Sequence, residues 1–135
     1  MHCFSQVRYD VRLMFVKLTI SFGFEAAHFL PNFPEGHKCR RMHGHSFKVD
    51  VTVAGDIPEG QGHLLDFGEV KQAIAPIEER LDHHLLNEIE GLEDPTSEQL
   101  AGWIWDRLAP NLPLLNEVVV RETCRSMCTY LGPQR

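Results

Sequence analysis

The feature that most constrains this chain is a two-residue alternation running from His43 to Val53. Phe47, Val49, Val51 and Val53 share one parity, while Lys48, Asp50 and Thr52 share the other. Successive strand side chains point to opposite faces, so the segment reads as a half-buried strand that needs cover on one side. The segment from Phe15 to about His28 carries the same signal, with Phe22, Phe24, Ala26 and His28 in phase. Between them lies a loop rich in Pro, Gly and charge: Pro31, Asn32, Pro34, Glu35 and Gly36. Two such strands suit an antiparallel hairpin.

That hairpin has a chemical consequence. His28 ends the apolar face of the first strand, and His43 and His45 begin the apolar face of the second. In an antiparallel pair the end of one strand lies beside the start of the other, so the three imidazoles converge. Gly44 allows the backbones to approach closely there. Three histidines with an open fourth position form the usual arrangement of catalytic zinc. Non-haem iron normally replaces one histidine by a carboxylate. A lone histidine on an apolar face is usually a hydrogen-bonded core residue, and His-x-His by itself is a weak signal. Two in phase with a third at the facing strand end point to metal.

The remaining elements follow from helical spacing and punctuation. Gly60 to His63 mark a turn, and Asp66 with Glu69 resembles a capping box opening a helix to about Leu81. Val70, Ala73, Ile74, Ile77 and Leu81 form its apolar stripe, and Pro76 should kink or interrupt it. A second helix opens at Pro95-Thr96 with Gln99 completing a cap, buries Leu100, Trp103, Ile104 and Leu108, and stops at Pro110. Val118 to Val120 begin a third strand, and Met127 to Leu131 form a short fourth. The order ββααββ predicts an α+β domain, a four-stranded antiparallel sheet with two helices on one face. At 135 residues, 43% hydrophobic and 24% charged, the chain suits one globular domain. We expect that domain to span residues 15–135, with 1–14 a flexible extension and Met14 an alternative start.

Composition excludes several functions. A net charge of −6 argues against a nucleic-acid backbone as partner, although Lys38, Arg40 and Arg41 cluster locally. The apolar run from Val11 to Phe24 is broken by Lys17 and is shorter than the about 20 residues a membrane span needs. The first ten residues lack the apolar middle of a secretory signal, so a cytoplasmic location is expected. Cys3, Cys39, Cys124 and Cys128 then read as reduced thiols, with no C-x-x-C pair among them.

Other reactive groups stand out. Cys39 lies between the two histidine-bearing strands, and cations beside a thiol favour the thiolate that acts as base or nucleophile. Alternatively Cys39 is inert, or is a fourth ligand that closes the site into a non-enzymatic zinc module. Asp82-His83-His84 offers a carboxylate beside imidazoles for general acid or base work, or plain helix-end electrostatics. Glu122 ends the apolar parity of the third strand, where a buried carboxylate needs a partner such as two parallel N–H donors, or else it sits in water at the sheet edge. Cys124 and Cys128 read as small buried residues, and His37 and His63 as solvated loop residues. A zinc peptidase would need His-Glu-x-x-His, which the sequence lacks.

Taken in order, Phe24-Glu25-Ala26-Ala27-His28, Glu35-Gly36-His37-Lys38-Cys39 and His43-Gly44-His45-Ser46-Phe47 form a familiar series of blocks. Leu81-Asp82-His83-His84-Leu85-Leu86-Asn87, Pro95-Thr96-Ser97-Glu98 and Glu122-Thr123-Cys124 extend it from about Phe15 to Gly132. The series resembles the 6-pyruvoyl-tetrahydropterin synthase superfamily, in its bacterial branch that forms 6-carboxy-5,6,7,8-tetrahydropterin for queuosine and 7-deazapurine biosynthesis. The resemblance implies a T-fold whose trimers close a barrel and pair as hexamers, with active sites at subunit interfaces. It implies zinc on His28, His43 and His45, Cys39 as proton acceptor, and Asp82 and His83 as its relay. Glu122 would anchor the pterin and join that relay, with Thr123 beside it in substrate binding. The implied substrate is dihydroneopterin triphosphate. Formation of the 6-pyruvoyl product is the alternative, and the resemblance leaves open whether Mg2+ accompanies the triphosphate.

Overall fold

The computed structural model describes residues 14–133, so the expected extension, apart from Met14, lies outside the described residues. Within them the elements are β1 (Phe15–His28), β2 (His43–Asp56), α1 (Phe67–Leu81), β3 (His84–Leu85), α2 (Ser97–Leu108), β4 (Leu115–Thr123) and β5 (Ser126–Tyr130). They build one sheet in the order β3-β1-β2-β4-β5. β1 and β2 pair antiparallel without a slip, from Phe15 opposite Asp56 to His28 opposite His43.

The sheet departs from expectation at one edge. It has five strands and is mixed, because β3 runs parallel to β1 through Ala26–His84 and Ala27–Leu85. A strand of two residues has no period to detect, which is why the ββααββ reading missed it. The chain enters it through His83 at φ 59°, a left-handed conformation uncommon outside glycine. Two backbone anchors hold that turn against β1. The His83 N–H donates to the Glu25 carbonyl at 2.6 Å, and the Glu25 N–H donates to the Asp82 carboxylate at 2.9 Å.

One face of the sheet is apolar and carries both helices. Phe22, Phe24, Phe47, Val49, Val51, Val53, Val118 and Val120 are buried there, as alternation requires. α1 packs against β1 and contributes Val70, Ile74, Ile77 and Leu81, while α2 packs against β4 and β5 through Leu100, Ile104 and Leu108. Thr96 caps α2 by accepting from the Gln99 N–H at 3.1 Å. Asp66 caps α1 through the Gly68 N–H at 2.8 Å, so the expected Asp66–Glu69 box is replaced by a cap one residue tighter. α1 continues through Pro76 without a break. The bond that proline removes would have reached the Gln72 carbonyl, and both residues lie on the exposed side of the helix. Cys124 is exposed in the β4–β5 turn and is not the buried residue expected, whereas Cys128 is half-buried and packs against the core. A turn of two residues has no interior in which to bury a side chain.

The opposite face is polar and cross-linked. The Thr19 and Thr52 hydroxyls bond at 2.7 Å, the Ser21 hydroxyl donates to Asp50 at 2.5 Å, and Arg121 forms an ion pair with Asp50. Burial alone would raise the Asp50 carboxyl, but the Ser21 hydroxyl and the Arg121 guanidinium hold it below the ordinary carboxylate range. A depressed carboxylate stabilises the fold above the unfolded value of about 4 and loses that contribution as pH falls through the lower folded value. Asp50→Asn should therefore lower the urea midpoint at pH 7, with the difference from wild type shrinking below about pH 4. A difference that stays constant to pH 2 would remove the ion pair from the account.

Candidate metal centre

The β1–β2 register sets His28 opposite His43 and Ala26 opposite His45, so all three rings leave the sheet on its helix-bearing side. Their centroids lie 4.5 Å apart for His28–His43, 5.1 Å for His28–His45 and 4.9 Å for His43–His45. Each pair meets edge to face. Phe47 closes the group from the core side, with its ring 5.5 Å from His28 and 5.4 Å from His45.

Hydrogen bonds behind the rings fix two tautomers. A carbonyl only accepts, so His28 Nδ1–H donates to the Pro95 carbonyl at 2.8 Å and His43 Nδ1–H donates to the Arg41 carbonyl at 2.7 Å. In the neutral rings both Nε2 atoms are then bare, and they face each other at 3.0 Å. Two lone pairs at that separation repel unless a proton or a cation lies between them. His45 Nε2 is buried without a hydrogen bond, 3.8 Å from a Glu122 carboxylate oxygen. Among the described residues these three histidines form a group whose ligand atoms all lie within 4.8 Å of one another. Such a group can hold a metal ion.

The electrostatics agree with that use. Burial pushes His28 below the ordinary imidazole range, against the opposing pull of the Pro95 carbonyl and Glu122, with His43 and His45 adding to the depression. Burial lowers His45 as well, opposed by Glu122. Both rings are therefore neutral near pH 7 and offer lone pairs, the form a divalent cation requires.

The other predicted residues fall elsewhere. Cys39 sits in a 3-10 turn, Lys38–Arg40, half-buried and outside the histidine group. Its carbonyl accepts from the Leu30 N–H at 2.8 Å, and its N–H donates to His37 Nδ1 at 3.1 Å. His37 is an exposed loop residue, as expected, and also caps this turn, stacked on Phe33 at 4.5 Å. The Arg40 guanidinium donates to the Phe33 carbonyl at 3.0 Å, which ties one of the three local cations to its own loop.

Asp82 and His83 form a separate pair, with Asp82 Oδ2 2.9 Å from His83 Nδ1. The Glu25 N–H and the His83 ring hold the Asp82 carboxyl below its ordinary range. This pair borders a surface depression of about 560 Å³ lined by Glu25, His45, Ser46, His83 and His84. His45 is the residue common to the depression and the histidine group. Glu122 sits beside His45, whereas the Thr123 hydroxyl is engaged in the β4–β5 turn, 3.2 Å from Ser126 and accepting from the Arg125 N–H. Sequence reasoning missed Glu25, whose carboxylate accepts from Ser46 at 2.7 Å, and the Pro95 carbonyl. Glu25 lies on the polar parity of β1, where a carboxylate carries no signal, and a backbone carbonyl carries none anywhere.

Comparison with known proteins gives a consistent picture. A family profile described as 6-pyruvoyl tetrahydropterin synthase matches residues 17–133. The 6-carboxy-5,6,7,8-tetrahydropterin synthase of Synechocystis sp. is 45% identical over 119 residues, 84% of this chain and 91% of the relative. The protein of the same name from Bacillus subtilis is 37% identical over 117 residues, 78% of this chain and 77% of the relative. Among solved structures, Caenorhabditis elegans 6-pyruvoyl tetrahydropterin synthase superposes with a TM-score of 0.82 at 24% identity, covering 92% of this chain and 100% of that one. This last likeness shows the shared fold.

Proposed function

The chain belongs to the 6-pyruvoyl tetrahydropterin synthase family, and from that membership we propose that it is a 6-carboxy-5,6,7,8-tetrahydropterin synthase. The reaction takes 7,8-dihydroneopterin triphosphate and water to 6-carboxytetrahydropterin, acetaldehyde and triphosphate, in the cytoplasm and as a step toward queuosine. The names of the relatives at 45% and 37% identity support the product. The observation that carries the chemistry is the pair of bare Nε2 atoms of His28 and His43 at 3.0 Å, with His45 Nε2 buried and unbonded nearby. That donor set fits zinc, with three imidazole nitrogens and room for an exchangeable ligand.

The roles of the chain's own residues follow. His28, His43 and His45 would hold the zinc, which when bound supplies Lewis acidity toward the hydroxyl oxygens of the substrate side chain. Cys39 thiolate accepts the proton from the adjacent carbon. Asp82 holds His83 through Nδ1–H, which leaves His83 Nε2 to carry protons to and from the pocket. The Glu122 carboxylate accepts two parallel N–H donors of the pterin edge, with Thr123 alongside. Lys38 and Arg41 are the cations for the triphosphate, with or without Mg2+, while the Arg40 guanidinium is held by the Phe33 carbonyl.

We further propose a homo-oligomer, trimer or hexamer, of single domains spanning residues 15–135. The exposure of the His83 side chain, 78%, supports a site completed between chains.

The test is incubation of zinc-loaded protein with dihydroneopterin triphosphate, with products identified by mass. One acetaldehyde per pterin consumed is expected. A 6-pyruvoyl product without acetaldehyde would replace this reading with the pyruvoyl one, and no turnover at all would end both.

A further inference from the structure

His28 is the deepest of the three proposed ligands, fully buried, and its orientation depends on two pieces of chain that are far apart in sequence. One is the end of β1, which carries the ring. The other is the segment before α2, whose Pro95 carbonyl receives its Nδ1–H. A single side chain bonds both. Asn87 Oδ1 accepts from the Phe29 N–H at 3.0 Å, and Asn87 Nδ2 donates to the Phe29 carbonyl at 2.7 Å and to the Glu93 carbonyl at 3.4 Å. The two bonds to Phe29 reproduce what a neighbouring strand would provide, at the residue directly after His28. The third reaches the chain two residues before Pro95.

The amide is itself held still. It projects from a 3-10 turn, Leu86–Glu88, that is pinned by the fully buried Leu86, with Ile89 and Leu92 buried just beyond. Both Asn87 donors are committed to carbonyls and its oxygen to an N–H, a pattern that neither Asp, without donors, nor Ala can supply. We infer that Asn87 is a positioning residue for the metal centre: it sets the His28 ring against the Pro95 carbonyl and so aims His28 Nε2 at the ion. Hydrogen-bond partners behind metal ligands govern ring orientation, and their loss typically costs about 10- to 100-fold in metal affinity.

The inference rests on the proposed metal site, and its test separates the two. Cobalt(II) is titrated into metal-free wild type, Asn87→Asp, Asn87→Ala and Ile104→Val, with affinity and visible ligand-field bands as readouts. Ile104 is a fully buried core residue of α2, so its variant reports general destabilisation alone. Both Asn87 variants should bind cobalt about 10- to 100-fold more weakly, with altered band shape, at temperatures where circular dichroism shows them folded. Ile104→Val should melt lower yet bind as wild type does. Asn87→Asp, matched in size, decides the matter if Asn87→Ala does not fold. Wild-type affinity and bands in a folded Asn87 variant would overturn the positioning role alone. A wild-type protein that binds no cobalt would overturn the metal site and this role with it.

Discussion

Replacing His43 with alanine is expected to weaken zinc binding by more than about a hundredfold while leaving the fold intact. The floor comes from comparison: about a hundredfold is the upper cost of losing a hydrogen-bond partner behind a ligand, and here the ligand itself is lost. His43 is a cleaner probe than His28. It is half-buried at the first residue of β2, and its removal frees only the Arg41 carbonyl in a loop. Removing fully buried His28 would open a cavity and strand the Pro95 carbonyl, mixing stability with affinity. The metal-free proteins supply a second signature. His43→Ala removes the ring contact with His28 and the bond to the Arg41 carbonyl at the edge of β2, so without zinc the variant should melt close to wild type. Zinc at a hundred times its dissociation constant should stabilise the wild type by about 2.7 kcal/mol and the variant far less. Melting curves with and without zinc, with metal content after dialysis, check both points. Unchanged zinc content and an unchanged zinc-induced shift in the variant would sink the three-histidine site.

The reason this site was legible in the sequence is geometric. A strand's period of two ties the fate of His28 to Phe24 and Ala26, and that of His43 and His45 to Phe47, so one inference about burial oriented all three rings. The hairpin register then needed only a loop short enough to return the chain. The α2 cap was legible for a similar reason, because Thr96 and Gln99 stand at the spacing a capping hydroxyl spans. Elements stabilised by backbone partners were not legible. β3 is two residues long and exists because His83 turns left-handed and zips to Glu25 through main-chain groups that every residue possesses. Pro76 does not interrupt α1, and sequence marks the missing donor but not that Gln72 and Pro76 lie on the helix's exposed side. Cys124 is exposed rather than buried because it stands in the β4–β5 turn, a place that apolar character alone does not reveal.

The same distinction divides the chemistry. Parity speaks only for residues of one sheet, and it gathered His28, His43, His45 and, beside them, Glu122. Cys39 in its loop and the Asp82–His83 pair behind β3 answer to loop geometry, so nothing in strand periodicity relates them to the histidines. Among the described residues, the Asp82–His83 pair meets the histidines at the depression that His45 and His83 both line, and Cys39 is not part of that lining. A function assigned to Cys39 must therefore be tested independently of metal binding.

Cys39→Ala is expected to keep zinc at wild-type affinity while kcat falls by about 10²- to 10⁴-fold, the usual contribution of a positioned general base. The turn should survive the change. Its anchors are main-chain groups, the Cys39 carbonyl to the Leu30 N–H and the Cys39 N–H to His37, and neither involves the sulfur. KM should change little, because the thiolate's role is to take a proton rather than to bind the substrate in its ground state. Cys39→Ser is the sharper variant, since it preserves size and hydrogen bonding but a hydroxyl yields its proton far less readily than a thiol. It should therefore resemble alanine in kcat, not wild type. Steady-state kinetics and zinc content on the same preparations read both quantities. Full kcat in either variant would remove Cys39 from the proton transfer. Loss of zinc together with activity in Cys39→Ala would instead make the sulfur a fourth ligand, and the site a closed structural centre with no position left for a substrate oxygen.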